Sequence, residues 1–291
     1  MTDQFHCMAC TGQHATQVIP AAHPEHRYRV CAQCGMGQLW PMPPAPEQLY
    51  TRDYFVDGGQ RAGYVDYEAD ERWHRITARQ RLGRLEKVLG QVPEATGHAV
   101  PRSLVDVGAA TGFFLDVARE RGWQVNGVEA SQWAADRARG RGHRVESQLA
   151  DYTDPVTAVS LFQVLEHVPD PQALLQQAAA LLESDGAVIC ETWDVGSRTA
   201  RLAGRRWQQL SPPSVLWLFS RDGMGRLAER AGLELVSWRP SPKLVSLSTV
   251  LGQSVAAANR GTVARALSRA GQVVALPYPL DDLVTTVLRK K

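Results

Sequence analysis

The sequence predicts an α/β fold: a doubly wound, mostly parallel sheet with helices on both faces, preceded by a small cysteine-rich module. Three observations carry this prediction. From residue 103 onward, short β-branched apolar runs alternate with stretches of helical period. A glycine-rich loop, Asp106-Val107-Gly108-Ala109-Ala110-Thr111-Gly112, joins the first of these strands to the first helix. Four of the five cysteines form two C-x-x-C pairs within the first 34 residues.

The cysteines come first in the chain. Cys7 and Cys10 are followed, after 20 intervening residues, by Cys31 and Cys34, which is the spacing of a zinc ribbon. Four thiolates close a tetrahedral ion and leave no open position, so the zinc is expected to be structural. Gly12 and Gly35, just after the pairs, suit the knuckle turns. Two disulfides or an iron–sulfur centre are the other readings, the disulfides being disfavoured in a chain expected to be cytoplasmic. His6, His14, His23 and His26 lie nearby, and His6 replacing one cysteine is a variant of the same site. The module, residues 1–40, is expected to cap the fold and help wall the substrate site. An RNA-reading role is the alternative, but Arg27 and Arg29 alone make a poor phosphate clamp.

Residues 41–98 read as a proline-rich linker and a helical cap. Trp40-Pro41-Met42-Pro43-Pro44-Ala45-Pro46 excludes helix and favours extended chain. The tyrosine-rich segment Leu49-Tyr50-Thr51-Arg52-Asp53-Tyr54-Phe55 follows. A helix over 64–90 is long enough to lie across the glycine loop. Tyr64, Tyr67, Trp73 and His74 on or near it are core aromatics, or else substrate contacts.

The third unit is 99–291. Strands are expected at 103–107, 124–128, 143–146, 156–162, 186–192, 233–239 and 282–289, and helices at 112–121, 131–141, 171–183 and 220–231. Cys190 falls inside an apolar strand as a small buried hydrophobe. Ligands of such a sheet bind beyond the carboxyl ends of its strands. Two insertions, 193–219 and 240–280, are placed to reach that end. The apolar spacing of Leu244, Leu247, Val250, Leu251 and Val255 predicts helices acting as a lid or a homodimer surface, or as scaffolding.

The glycine loop lets backbone approach a ligand closely, and the helix behind it offers free N–H groups. Glu129 ends the second strand about 20 positions on, where an acidic residue takes two ribose hydroxyls. A nucleoside-containing cofactor is therefore expected. The spacing departs from the dinucleotide fingerprint at Ala110, and no Walker lysine follows.

These residues resemble motif I of class I S-adenosylmethionine-dependent methyltransferases. Asp106, Gly108 and Gly112 match its pattern, while Ala110 stands where a glycine is usual. The likeness continues through Val128-Glu129-Ala130-Ser131, Ala150-Asp151-Tyr152 and Leu161-Phe162-Gln163-Val164-Leu165-Glu166-His167, over roughly residues 100–240. It implies a Rossmann-like methyltransferase sheet with an antiparallel last strand. It further implies that S-adenosyl-L-methionine is held by Asp106, Gly108, Ala109, Ala110, Gly112, Phe113, Glu129, Ala130, Asp151, Tyr152 and Gln163. The cysteine pairs and the segments after them also resemble zinc-ribbon methyltransferases of bacterial glycan and natural-product metabolism.

For catalysis the resemblance points to His167 as general base, with Glu166 beside it. A histidine there can instead cap a helix or pair with Glu166. Ubiquinone-pathway O-methyltransferases have E-V-L-E-H in this segment and are thought to hold a divalent ion with it. Gln163 replaces the first glutamate and is a weaker ligand for a hard cation. Similar enzymes often show P-x-H-L where this chain has Pro213-Ser214-Val215-Leu216, so that histidine is replaced by Val215.

Composition narrows the partners. The chain has 291 residues, 44% of them hydrophobic, and a formal charge of +2, which makes no field for nucleic acid. It contains no apolar run of 18 residues and no signal-peptide pattern, so a cytoplasmic protein without a membrane partner is expected. The function expected is methyl transfer to a hydroxyl of a sugar, glycan precursor or secondary metabolite. An RNA methyltransferase and a non-catalytic scaffold are the alternatives.

Overall fold

The computed structural model describes residues 5–13, 16–21, 25–44, 49, 51–56, 67–90, 102–241, 243–246, 275–278 and 280–291. The expectations for His14, His23, Tyr64, Leu247, Val250, Leu251 and Val255 lie outside these residues.

The N-terminal module is built from β1 (His6–Cys7), β2 (Gly12–Gln13), β3 (Thr16–Pro20), β4 (Arg27–Cys31) and β5 (Gly37–Trp40). β1 and β2 form a two-stranded sheet. Each cysteine pair turns through a residue in the left-handed region immediately after its second cysteine. After Cys34 that residue is Gly35 (φ 75°); after Cys10 it is Thr11 (φ 53°), not the expected Gly12. Main-chain bonds close both turns, Thr11 N to Cys7 O at 2.9 Å and Gly35 N to Cys31 O at 2.8 Å.

Two helices follow, α1 (Arg52–Val56) and α2 (Glu71–Leu89). α2 starts later than its expected span and buries Thr77, Ala78, Leu82 and Leu85. The C-terminal unit then alternates as the periodicity predicts. Its elements are β6 (Ser103–Val107), α3 (Phe113–Glu120), β7 (Gln124–Val128), α4 (Gln132–Gly140), β8 (Arg144–Glu146), β9 (Val156–Phe162), α5 (Pro171–Leu181) and β10 (Leu182–Trp193). Local chemistry sets these ends. Asp170 caps α5 by accepting from Ala173 N at 2.9 Å, and Pro171 supplies a first turn that needs no donor.

After β10 come α6 (Arg198–Ala203), β11 (Trp217–Leu218), α7 (Arg221–Arg230), β12 (Leu233–Pro240), β13 (Leu244–Ser246), β14 (Ala275–Pro277) and β15 (Leu283–Lys290). The main sheet has seven strands in the order β12-β15-β10-β9-β6-β7-β8, and β15 runs antiparallel to both its neighbours. Leu104, Val159, Val188 and Ile189 on its central strands are fully buried. The chain moves outward from β6 through β7 to β8 and returns to place β9 on the other side of β6. That reversal opens a crevice between the loops leaving β6 and β9, where ligands of such sheets bind.

Residues 193–219 form a strap to the ribbon. β11 pairs with β5, so one four-stranded sheet, β11-β5-β4-β3, is shared between the module and the C-terminal unit. At the other insertion, Leu244 begins a strand that pairs antiparallel with β14.

Candidate active site

The loop leaving β6 is organised by its neighbours. Gly108 N and Ala109 N both donate to Val128 O, at 2.8 and 3.0 Å, and Gly112 N donates to Ala109 O at 2.9 Å. Ala110 N donates to Glu129 Oε2 at 2.8 Å. Four N–H groups of the loop are thus engaged within the protein. The loop presents a close-approach surface, not the open anion nest of a phosphate site.

Glycine is required at Gly108: a Cβ there would lie 2.6 Å from Val164 Cγ2, with φ at 76°. Ala110, which replaces the usual glycine, has φ 48°. The loop therefore keeps its left-handed turn and holds an alanine in it. Thr111 is fully buried and its hydroxyl has no hydrogen-bond partner among the described residues. Asp106, buried beneath the loop, accepts from Ser160 Oγ at 2.5 Å. Burial pushes its carboxyl up to about 7.

Glu129 is buried at the end of β7. Its Oε1 accepts from Ser131 N and its Oε2 from Ala110 N, each at 2.8 Å. Ala130 beside it is exposed. Asp151 is exposed and caps its own turn through Gln148 N at 3.2 Å. Tyr152 Oη donates to Gly127 O at 2.8 Å, which ties the segment after β8 beneath the β7 end. Phe113 lies buried in an aromatic stack with Tyr67 and His74, centroids 5.6 and 5.8 Å away. Tyr67 and His74 bring α2 and the turn before it over the loop.

The segment after β9 carries the remaining expected residues. Gln163 takes φ 56°, which turns the chain sharply at the strand end. Its Oε1 accepts from Lys243 Nζ at 2.8 Å. Glu166 is fully buried and its two carboxylate oxygens have no hydrogen-bond partner among the described residues. Burial pushes this carboxyl up to about 8. His167 Nδ1 lies 2.6 Å from Ser214 O, so Nδ1 carries the proton. Burial lowers this imidazole to about 4, which keeps it neutral near pH 7. His167 thus pairs with a main-chain carbonyl and not with Glu166.

A divalent ion does not fit this segment. Gln163 is a neutral amide already bound to an ammonium. Among the described residues, the cysteines are the one group of three or more His, Cys, Asp or Glu side chains whose ligand atoms converge.

That second group does fit a metal. The four sulfurs of Cys7, Cys10, Cys31 and Cys34 lie within 4.8 Å of one another. Cys7 and Cys34 are 3.6 Å apart and Cys10 and Cys31 are 4.0 Å apart, too far for disulfides. A tetrahedral zinc with Zn–S bonds of about 2.3 Å requires S–S separations of about 3.8 Å. Arg27 and Arg29 both lie over the Trp40 ring, at 4.8 and 4.2 Å.

Sequence reasoning missed Lys243, Arg81 and Glu191. No motif marks them, because they meet only when α2, β10 and the chain after β12 pack together.

Comparison with known proteins agrees with this geometry. A family model described as a methyltransferase domain matches residues 65–238, more than half of the chain. The ubiquinone biosynthesis O-methyltransferase of Alkalilimnicola ehrlichii is 28% identical over 170 residues, covering 50% of this chain and 69% of that protein. The protein of the same name from Salmonella paratyphi A is 30% identical over 115 residues, 36% of this chain and 48% of its own. In fold, the chain is similar to a SAM-dependent methyltransferase from Archaeoglobus fulgidus (TM-score 0.50, 16% identity, 77% of this chain and 99% of that one). With its glycine loop, acidic β7 end and antiparallel last strand, the chain belongs to the methyltransferase domain family and is a class I S-adenosylmethionine-dependent methyltransferase.

Proposed function

We propose that this protein methylates a hydroxyl oxygen of a small molecule, with Glu129 holding the ribose of S-adenosylmethionine and a structural zinc in the ribbon. The Glu129 carboxylate carries this reading. Each of its oxygens accepts one main-chain N–H. An ionised carboxylate has about four acceptor positions, so lone pairs remain for two adjacent hydroxyls. Those same N–H bonds fix the carboxylate before the ligand arrives. Burial opposes its ionisation and holds its value above the usual carboxylate range, and the Ser131 and Ala110 amides offset part of that cost.

Asp106, bound by Ser160, holds the β6 end. Phe113, stacked under Tyr67 and His74, gives the cofactor pocket an apolar wall. Thr111 has a buried hydroxyl to offer, and the left-handed loop at Gly108 and Gly112 lets the donor approach the backbone. S-adenosylmethionine supplies a methyl group on positive sulfur. The protein's part is alignment of the acceptor and exclusion of other nucleophiles. The relatives named O-methyltransferases support oxygen as the acceptor atom. Near-neutral charge supports a small molecule over nucleic acid. Zinc is supported by sulfur separations that straddle the tetrahedral value.

Calorimetric titration of S-adenosylmethionine and S-adenosylhomocysteine, with zinc content measured on the same sample, tests this reading. Saturable binding and one zinc per chain are expected. A folded chain that binds neither nucleoside would sink the assignment. Acceptor screening with phenols and sugars then follows.

A further inference from the structure

A charged cluster lies against the loop that leaves β9. Its centre is Lys243, the residue before β13. Leu244 N bonds Thr77 Oγ1 on α2 at 3.3 Å, and Tyr278 N bonds Lys243 O at 2.8 Å, so both neighbouring segments fix this stretch of backbone. The ammonium donates to Gln163 Oε1. Gln163 in turn sits next to Val164, whose methyl packs on Gly108. The cation is therefore attached to the β9 loop that forms one wall of the crevice.

No ion pair ties the ammonium to a carboxylate among the described residues. Glu191, fully buried on β10, is consumed by other partners: it forms an ion pair with Arg81 and accepts from Ser241 Oγ and from Thr285 Oγ1. Glu166 is fully buried and neither of its oxygens bonds the ammonium or any other described group. His74 is neutral because burial lowers its imidazole to about 3. With Glu191 held by Arg81 and both Glu166 oxygens unbonded, Gln163 Oε1 is the one hydrogen-bond partner of the Lys243 ammonium among the described residues. Its own lowering, to about 8 by burial and the nearby Arg81, still leaves it charged at pH 7. An ammonium has three N–H donors, and Gln163 uses one. A desolvated cation with donors to spare is an anion site.

Resting on the methyltransferase reading above, we propose that Lys243 is the oxyanion-binding group for the acceptor, and that the acceptor is an acidic hydroxyl, a phenol or enol, in place of a neutral sugar alcohol. A phenol ionises near pH 10 in water, and an opposite charge within about 4–6 Å lowers such a value by about 1–3 units. The acceptor's O–H proton passes to solvent as the oxyanion settles against the ammonium. Its lone pair then forms the C–O bond while the C–S bond of the donor breaks, and the positive sulfur leaves as a neutral thioether. No strong base is needed, which fits an imidazole at His167 that is held neutral and hydrogen-bonded to Ser214. The cation that stabilises the attacking oxygen belongs to the chain itself.

The test uses 4-nitrophenol as probe, titrated into wild-type protein saturated with S-adenosylhomocysteine, with the phenolate absorbance followed across pH. Wild type is expected to bind the phenolate and to lower the ionisation point of the bound probe. Lys243→Met, close in volume, should weaken phenolate binding about tenfold or more and abolish that shift. Lys243→Arg should restore most of it. Calorimetric affinity for S-adenosylhomocysteine should be equal in all three, and thermal melts check that each is folded. Phenolate binding unchanged in Lys243→Met would overturn the proposal. So would wild type that binds S-adenosylhomocysteine but no phenolate, or that binds 4-nitrobenzyl alcohol as tightly. Wild type that fails to bind S-adenosylhomocysteine overturns the methyltransferase reading, and the Lys243 proposal falls with it.

Discussion

Tyr28 Oη, in the ribbon, donates to Val215 O at 2.7 Å across 187 residues of sequence. The strap that carries Val215 is bonded along both edges. On one side Leu39 N of β5 donates to Leu216 O at 2.8 Å. On the other, Leu216 N and Trp217 N donate to Glu166 O, and His167 Nδ1 donates to Ser214 O. Ser220, which caps α7, also donates its hydroxyl to Cys34 O. The ribbon, the strap and the Glu166–His167 segment form one hydrogen-bonded unit. Val215, where similar enzymes carry a histidine, serves through its main chain.

Tyr28→Phe should destabilise the protein by about 1–3 kcal/mol, because it leaves the buried Val215 carbonyl unpaired. For a chain of this size that corresponds to a fall in Tm of several degrees. Affinity for S-adenosylmethionine should be unchanged, since no cofactor group is touched. A melt identical to wild type would mean that the strap does not depend on this bond.

Removing the metal should act through the same strap. Four thiols packed this closely lose the centre that organises them, and metal binding is coupled to folding in such modules. Chelator-treated protein, or Cys31→Ser, is expected to melt earlier and to be cut by protease between 207 and 220 before the main sheet is attacked. Equal protection with and without metal would show the ribbon to be dispensable to the strap.

Ala110→Gly should stabilise the fold modestly. Left-handed backbone costs a residue with a Cβ about 1–2 kcal/mol. The added freedom of glycine in the unfolded chain takes back about 0.4–1 kcal/mol. The first effect exceeds the second, so denaturant titration should give a midpoint equal to or above that of wild type. A clear loss of stability would mean that the Ala110 methyl group, packed in the loop, contributes more than the strain costs.

Stability should fall as pH rises from about 6.5 to 8. Glu166 and Asp106 have folded values raised by burial to about 8 and about 7. The unfolded chain loses these protons near pH 4 and the folded chain keeps them, so stability declines until the folded values are passed. His167 and His74, lowered by burial to about 4 and about 3, act in the opposite sense, but only below about 6.5, where the unfolded imidazoles gain protons. The two pairs oppose each other between about 4.5 and 6.5, above that window the two carboxyls dominate, and from about 8 upward Lys243, lowered by burial to about 8, acts against them. Melting points taken across pH 5–8.5 should show this decline, and Glu166→Gln should flatten part of it. A profile that rises toward pH 8 would place the Glu166 carboxyl with a partner that stabilises its charge.

The sequence by itself determined the alternating strands and helices, the glycine loop with Glu129 at the next strand end, and the two cysteine pairs. Each is a local signal: a period of two or 3.6 residues, a turn that needs left-handed backbone, or a ligand spacing of three. Such signals survive without knowledge of the rest of the chain. Even there a detail moved, since Thr11 and not Gly12 takes the knuckle turn. The tertiary structure alone decided that residues 193–219 dock the ribbon, that Leu244 enters a strand, and that Glu166 and His167 do not pair. It also brought Lys243 to Gln163 across 80 residues and Arg81 to Glu191 across 110. These contacts join side chains whose neighbours in sequence carry no common pattern. Their ionisation is set by burial, and burial exists only once the chain has packed.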